Sequence, residues 1–253
     1  MTLIPPAFNL EGRVAIVTGA SAGLGERFAR VLHASGAQVV AVARRADKLQ
    51  HLADELPGLR TVTADVTDAA ARQRLVDTVV DDLGRVDVLV NNAGGAVARP
   101  ALEETAESFV DALGLNLVAP FALAQLVARP MLAAGRGSII NIASVLGTIS
   151  AWPVASTTYT AAKGGLVQLT RELACQWAAG GVRVNAIAPG FFRSEAMDDA
   201  ATDALAGYIR RGTPMGRMGD VHELDGALVF LASDASSYVT GQVLAVDGGW
   251  TAH

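Results

Sequence analysis

Seven short runs of β-branched and apolar residues, each separated from the next by a stretch that can form a helix, constrain this chain more than any other feature. The runs fall at 14–17, 39–42, 61–63, 86–90, 138–142, 182–187 and 243–246. A run that is apolar at nearly every position has both faces buried, as a parallel strand does when helices cover it above and below. Parallel neighbours need crossovers of a dozen residues or more, and most of the intervals supply them. The pattern predicts an α/β chain: a single-domain Rossmann fold over residues 1–253, with a doubly wound seven-stranded parallel sheet and helices on both faces.

Flanking residues place the helices. Gly36 stops the helix that carries the apolar positions Phe28 to Leu32, and Asp68 and Asp220 stand where N-caps are expected. There is no Pro/Ser-rich linker and no repeat at solenoid periods. One stretch departs from the alternation: residues 191–219, rich in Met, Gly and Arg and containing Pro214, read as an insertion after the sixth strand that acts as a substrate lid.

Composition then removes whole classes of function. With 51% hydrophobic and 18% charged residues the chain is far from the disordered range. A net charge of −5 and no basic stripe exclude a nucleic-acid partner. Residues 1–13 show neither a basic nor an apolar leader segment, and the most apolar helical run, 117–128, is shorter than a membrane span and holds Pro120 and Gln125. A cytoplasmic protein with no membrane partner is expected. Cys175, the single cysteine, sits in an apolar helical pattern and reads as a buried structural thiol. His33, His51, His222 and His253 have no ligand spacing, so no metal is expected.

Directly after the first strand comes Thr18-Gly19-Ala20-Ser21-Ala22-Gly23-Leu24-Gly25, leading into a helix. Glycines at this junction let the backbone turn tightly against a pyrophosphate, whose charge rests on the free N–H groups of the helix N-terminus. Tyr159 and Lys163 stand four apart in a helical segment and so share one face. An ammonium there favours the phenolate and is expected to pull the tyrosine below its ordinary pKa of about 10.

The G-x-x-x-G-x-G spacing of the turn resembles that of the classical short-chain dehydrogenase/reductase family, and the resemblance runs over nearly the whole chain. Asp65-Val66 matches the family's adenine contact, Asn91-Asn92-Ala93-Gly94 its motif after the fourth strand, and Asn116 its helical asparagine. Ser144 and Tyr159-Thr160-Ala161-Ala162-Lys163 match its serine and its Y-x-x-x-K signature. Pro189-Gly190 matches the turn after the sixth strand, Ser194 stands where the family often has threonine, and 241–249 resembles its closing strand.

The resemblance implies hydride transfer between a nicotinamide cofactor and a small-molecule carbonyl or alcohol. Tyr159 would be the proton donor or acceptor, Ser144 would hold the substrate oxygen, and Lys163 would contact the nicotinamide ribose. Asn116 would hold a water that leads from Lys163 to solvent. Cofactor contacts are implied at Gly19, Ser21, Gly23, Leu24, Gly25, Arg44, Arg45, Asp65, Val66, Asn92, Ala93, Gly94, Tyr159, Lys163, Pro189, Gly190, Phe192 and Ser194. After the second strand, where users of NAD carry an acid, this chain has Ala43 followed by Arg44 and Arg45, which favours NADP(H) over NAD(H).

Gly95, Ala96, Val145, Leu146, Trp152, Pro153, Phe191, Phe192 and Met197 are expected to line the substrate pocket, suggesting an apolar or mixed substrate such as a 3-oxoacyl thioester or another ketone. Sugar, polyol or steroid substrates are the alternatives within the family, and a non-catalytic NAD(P)-sensing regulator is the alternative outside catalysis. Ser144 and Tyr159 are fifteen residues apart, against about thirteen in the family, which reshapes the pocket wall. Family members commonly form homotetramers, or homodimers, and the apolar last strand followed by Gly248-Gly249-Trp250 fits such an assembly.

Overall fold

Successive side chains of a strand leave opposite faces of the sheet, so an apolar run feeds two cores at once. In the computed structural model, which describes residues 6–193 and 199–252, this is how the sheet is built. Ala15 and Val17 of β1 (Val14–Thr18) and Val39 and Ala41 of β2 (Gln38–Ala43) enter one core. Val14 and Ile16, with Val40 and Val42, enter the other. The remaining strands are β3 (Arg60–Thr63), β4 (Val88–Asn91), β5 (Gly137–Ile142), β6 (Val182–Pro189) and β7 (Val243–Val246). All pair in parallel, in the order β3-β2-β1-β4-β5-β6-β7. The order reverses between β1 and β4, and a crevice for a ligand opens where the chain departs to opposite sides.

Helices cover both faces. Phe28, Ala29 and Leu32 of α1 (Gly23–Ala34), Leu49 and Leu52 of α2 (Ala46–Glu55) and, further along, Leu228 and Leu231 of α8 (Asp225–Ala232) close the first core. Leu75, Val76 and Val79 of α3 (Ala69–Leu83), Leu123, Val127 and Met131 of α5 (Ala119–Ala134) and Leu173 and Ala174 of α6 (Thr157–Trp177) close the second. The short helix α4 (Ala106–Leu113) precedes α5, and α7 (Asp199–Gly212) lies between β6 and α8. Asp68 caps α3 by accepting from the Ala71 N–H at 2.8 Å, and Asp220 forms a capping box with Glu223.

Several expectations are corrected. The two edge strands are not buried on both faces: residues 60 and 63 of β3 are exposed, and so are Ala245 and Leu244 of β7, because each has one neighbour strand and incomplete helix cover. Cys175 is exposed. The buried positions of α6 include 166, 167, 170, 173 and 174, and Cys175 falls one step past that stripe, on the outer side. The apolar run at 117–128 belongs to a longer helical path. Ala106–Ala134 runs unbroken for 29 residues, because a π-helical turn over Gly114–Val118 joins α4 to α5. By length and composition that path could cross a membrane, yet α5 lays seven buried residues onto the sheet core and its neighbours.

Candidate active site

The first wall of the site is the turn between β1 and α1. The N-cap Ala22 has no side chain to satisfy the first N–H groups of α1, so they remain available to an anion. Gly25 is confined: a Cβ there would lie 2.2 Å from the Gly19 carbonyl oxygen. The neighbouring loop after β4 is tied to this turn. Thr18 Oγ1 accepts from the N–H groups of Asn92 and Ala93, both at 3.0 Å, and Asn92 Nδ2 donates to the Thr18 carbonyl at 2.9 Å.

At the end of β2, Arg45 reaches back and donates through Nε and Nη2 to Ser21 Oγ at 3.2 and 3.0 Å, bringing a guanidinium onto the glycine turn. Asp65, after β3, accepts from both the N–H and the Oγ1 of Thr67 at 2.9 and 2.7 Å. Those bonds, opposed by partial burial and aided by the charge of Arg44, hold its carboxyl below the ordinary range.

Ser144, Asn116, Tyr159 and Lys163 meet at the other end of the crevice. Ser144 follows β5 and is 7% exposed, its Oγ accepting from the Leu146 N–H at 3.1 Å. Tyr159 and Lys163 lie one turn apart on α6, with Lys163 Nζ 5.5 Å from the Tyr159 ring centroid and donating to the Ile142 carbonyl at 2.7 Å. Asn116 is 1% exposed within the π-helical turn. Its Nδ2 donates to the carbonyls of Gly95 and Ala112, both at 3.0 Å, and its Oδ1 accepts from the Gly95 N–H at 3.2 Å. Gly94 passes between these groups, for a Cβ on it would stand 2.8 Å from Asn116 Oδ1 and 3.5 Å from Lys163 Nζ.

The electrostatics reverse one expectation. Burial raises Tyr159 above its ordinary value, with hydrogen bonding from Ser144 pulling only partly back. Burial also lowers Lys163, from 10.5 to about 8, and its Nζ donates to the Ile142 carbonyl. Since the folded chain binds this proton more weakly than an unfolded lysine, the cost of burying the ammonium is full below pH 8. It is relieved as pH rises from about 8 to 10.5.

A buried ladder holds these elements in register. Asn91 Nδ2 donates to the Pro120 carbonyl at 3.1 Å and to Asn141 Oδ1 at 3.0 Å; Asn141 Nδ2 donates to Thr170 Oγ1 at 2.9 Å, and Thr170 donates to the Leu166 carbonyl at 2.8 Å. It therefore links β4, β5, α5 and α6, which carry the motifs of the site, through side chains that are 4%, 1% and 0% exposed.

A single cavity of about 1010 Å³ runs from Arg44 to Tyr159. Of the residues singled out from the sequence, Gly19, Ser21, Leu24, Gly25, Arg44, Arg45, Asp65, Val66, Asn92, Ala93, Gly94, Ser144, Tyr159, Lys163, Pro189, Gly190 and Phe192 line it. Gly23 and Asn116 do not: Gly23 has a φ of +57° and shapes the turn, and Asn116 stands behind Gly94 and Gly95. Ser194 and Met197 lie outside the described residues.

The expected substrate wall is also revised. Gly95, Ala96 and Phe192 line the cavity, while Val145 is 1% exposed in the core and Trp152 is 80% exposed on the surface. Leu146 and Pro153 are likewise absent from the lining, and Phe191 packs edge-on against Trp250 at 4.7 Å. Asp111 and Arg193, which sequence patterns did not flag, do line it.

A fold, a glycine turn and a Ser-Tyr-Lys end of one crevice define a specific architecture, and comparison with known proteins matches it throughout. The family profile described as enoyl-(acyl carrier protein) reductase matches residues 19–251. The chain is 41% identical over 252 residues to gluconate 5-dehydrogenase of Gluconobacter oxydans (strain 621H), with 98% of each chain covered. It belongs to the short-chain dehydrogenase/reductase family.

It is also 37% identical to the 3-oxoacyl-[acyl-carrier-protein] reductase FabG of Escherichia coli (strain K12), over 95% of this chain and 98% of the relative. Among solved structures it resembles a gluconate 5-dehydrogenase from Burkholderia cenocepacia J2315 in complex with NADP and tartrate, with TM-score 0.91, 37% identity and 98% of each chain covered. This short-chain dehydrogenase/reductase is thus an oxidoreductase acting on CH–OH and C=O groups, and its seven-stranded Rossmann-like sheet is the fold of those structures.

Proposed function

We propose that this enzyme interconverts a polyhydroxylated carbonyl compound, such as a keto sugar or keto sugar acid, and its alcohol, using NADP(H). The observation that carries the reading is the single cavity joining two arginines at one end to Ser144, Tyr159 and Lys163 at the other. The cofactor fits this chain's residues: the uncapped start of α1 suits a pyrophosphate, and Arg44 and Arg45 suit a 2′-phosphate.

The bound nicotinamide supplies or accepts the hydride. In reduction, Ser144 donates to the substrate oxygen and Tyr159 passes its proton to that oxygen as negative charge develops. Tyr159 carries its phenolic proton at neutral pH, as an ordinary tyrosine does, and burial shifts it further in that direction. Lys163 would hold the cofactor ribose and, with Asn116, would lie on the route by which the proton is replaced. In oxidation the same groups act in reverse.

Asp111 and Arg193 among the cavity lining offer a hydrogen-bond acceptor for hydroxyls and a charge partner for a carboxylate, and the likeness to gluconate 5-dehydrogenases supports that class. A 3-oxoacyl thioester is the second reading, favoured by the Escherichia coli relative. Following NADPH consumption with 5-ketogluconate and with an acetoacetyl thioester separates the two: faster turnover of the sugar acid is expected. Turnover of the thioester alone would overturn the substrate class. Consumption with neither, alongside tight cofactor binding, would favour a sensing role.

Residues 191–219 form the lid in this reading, since Phe192 and Arg193 line the cavity and Tyr208 of α7 donates to the Trp152 carbonyl at 2.7 Å, tying the segment to the loop before α6. In the same reading the protein works in the cytoplasm as a homotetramer. Exposed Val110 and Val118 on the long helical path, and Leu244 on the edge strand, supply apolar faces for such an assembly. A solution mass of four chains at micromolar concentration is expected, and a monomer would refute it.

A further inference from the structure

Opposite the cofactor crevice, where β1, β4, β5 and β6 begin, four guanidinium groups gather around two carboxylates. Asp87, 4% exposed, is the hub. Its Oδ2 accepts from the Val14 N–H at 2.9 Å and from Arg85 Nε at 2.7 Å, and its Oδ1 pairs with Arg85 Nη2. Arg136 Nε lies 3.5 Å and Arg13 Nη1 3.7 Å from the same Oδ1. Arg13 also grips Asp234 through Nη2, at 3.0 and 2.8 Å.

Among the described residues, Arg183 meets no carboxylate at ion-pair distance. Its guanidinium is held by Ser236 Oγ at 2.8 Å and by the carbonyls of Leu231 and Ser233 at 2.9 and 3.1 Å. Of these groups Arg13, Arg136 and Arg183 border one cavity together with Asp87 and Asp234, which leaves a surplus of one positive charge there. That surplus faces a volume of about 500 Å³, whose lining also includes Ser138, Tyr238 and Thr240 and leaves Arg85 outside. Arg136 has only the long contact to Asp87, so its terminal amino groups are unengaged by any described residue. The Tyr238 ring is fully exposed beside it.

We propose that this cavity is a second ligand site, independent of the oxidoreductase reading, that takes a phosphate group, free or as the ester of a small organic molecule. Guanidinium groups held close together repel one another, and a doubly charged oxyanion removes that repulsion while accepting paired N–H bonds. Arg136 is the main contact, because the other three are already committed. The volume exceeds what inorganic phosphate alone fills, and Tyr238 offers a wall for an organic moiety.

The test titrates inorganic phosphate against the full-length protein by calorimetry, at constant ionic strength set with sodium chloride. Saturating NADP+ throughout the titration keeps the cofactor crevice, both its glycine turn and its arginine pair, from answering. Saturable binding at one site per chain is expected, and R136Q should weaken it at least about tenfold, with R136K in between, while the melting temperature in chloride stays unchanged. Glycerol 3-phosphate run in parallel tells the two sources apart: tighter binding identifies an ester, equal binding the free ion. Failure of phosphate to saturate, or equal affinity in R136Q and R136K and their parent, overturns the proposal. A lowered melting temperature in R136Q moves the decision to R136K alone.

Discussion

Tyr159→Phe is expected to cut turnover by about 10²–10⁴-fold, the usual contribution of a general acid or base, and to leave cofactor affinity within about threefold. The variant keeps the ring that packs 5.5 Å from Lys163 Nζ and removes only the hydroxyl. What it removes is the group that must be protonated for reduction and ionised for oxidation. Burial raises its pKa, so the reducing form is fully present at neutral pH and is lost only as pH climbs past the raised value. Reduction should therefore be flat through neutrality, and oxidation should rise with pH over the same range. In Tyr159→Phe the rise of oxidation with pH should vanish along with most of the rate in both directions. Steady-state kinetics in both directions from pH 6 to 10, with cofactor affinity from fluorescence, measures this; a loss below about tenfold sinks the assignment of Tyr159.

The fold was open to sequence reading because its cause is local. Runs such as Val39 to Val42 are apolar at consecutive positions and could only be central parallel strands, and all seven runs became strands of one sheet. What reading along the chain missed depends on neighbours distant in sequence. Whether Arg60 and Leu244 are covered is decided by which strand ends at the edge, and neither residue's own neighbours say so. Cys175 shares the apolar neighbourhood of Leu173 and Ala174 in sequence, but a 100° step along α6 carries it out of the core.

In the site, short motifs named residues that do share one cavity, since each motif sits where a strand ends at the switch of the sheet. The ladder of Asn91, Asn141 and Thr170 was invisible to motif reading, being assembled from residues 29 to 50 positions apart. The direction of the Tyr159 shift was misjudged for a similar reason. Spacing along a helix shows that Lys163 is near, but only the fold shows that both groups are dehydrated and that the ammonium is turned to Ile142.

Cofactor choice should be reversible at three adjacent positions. Ala43, the last residue of β2, is 7% exposed and lines the cavity between Val42 and Arg44, so an acid placed there would face the adenosine ribose. Arg44 lines the same end, and Arg45 is already drawn onto it by Ser21. A hydrogen bond to a charged group is worth about 1.5–3 kcal/mol, so Arg44→Ala should weaken NADPH roughly ten- to a hundredfold and leave NADH nearly unchanged. Arg45→Ala should act in the same direction and by less, because part of the Arg45 hydrogen bonding is satisfied by Ser21 without a ligand. Ala43→Asp adds an acceptor for the ribose hydroxyls and a charge that repels a 2′-phosphate, so the Ala43→Asp/Arg44→Ala pair should invert the preference. The measurement is kcat/KM for each cofactor in the wild type and the variants. A wild type that favours NADH, or an Arg44→Ala variant that loses both cofactors equally, would show that this end of the cavity does not read the phosphate.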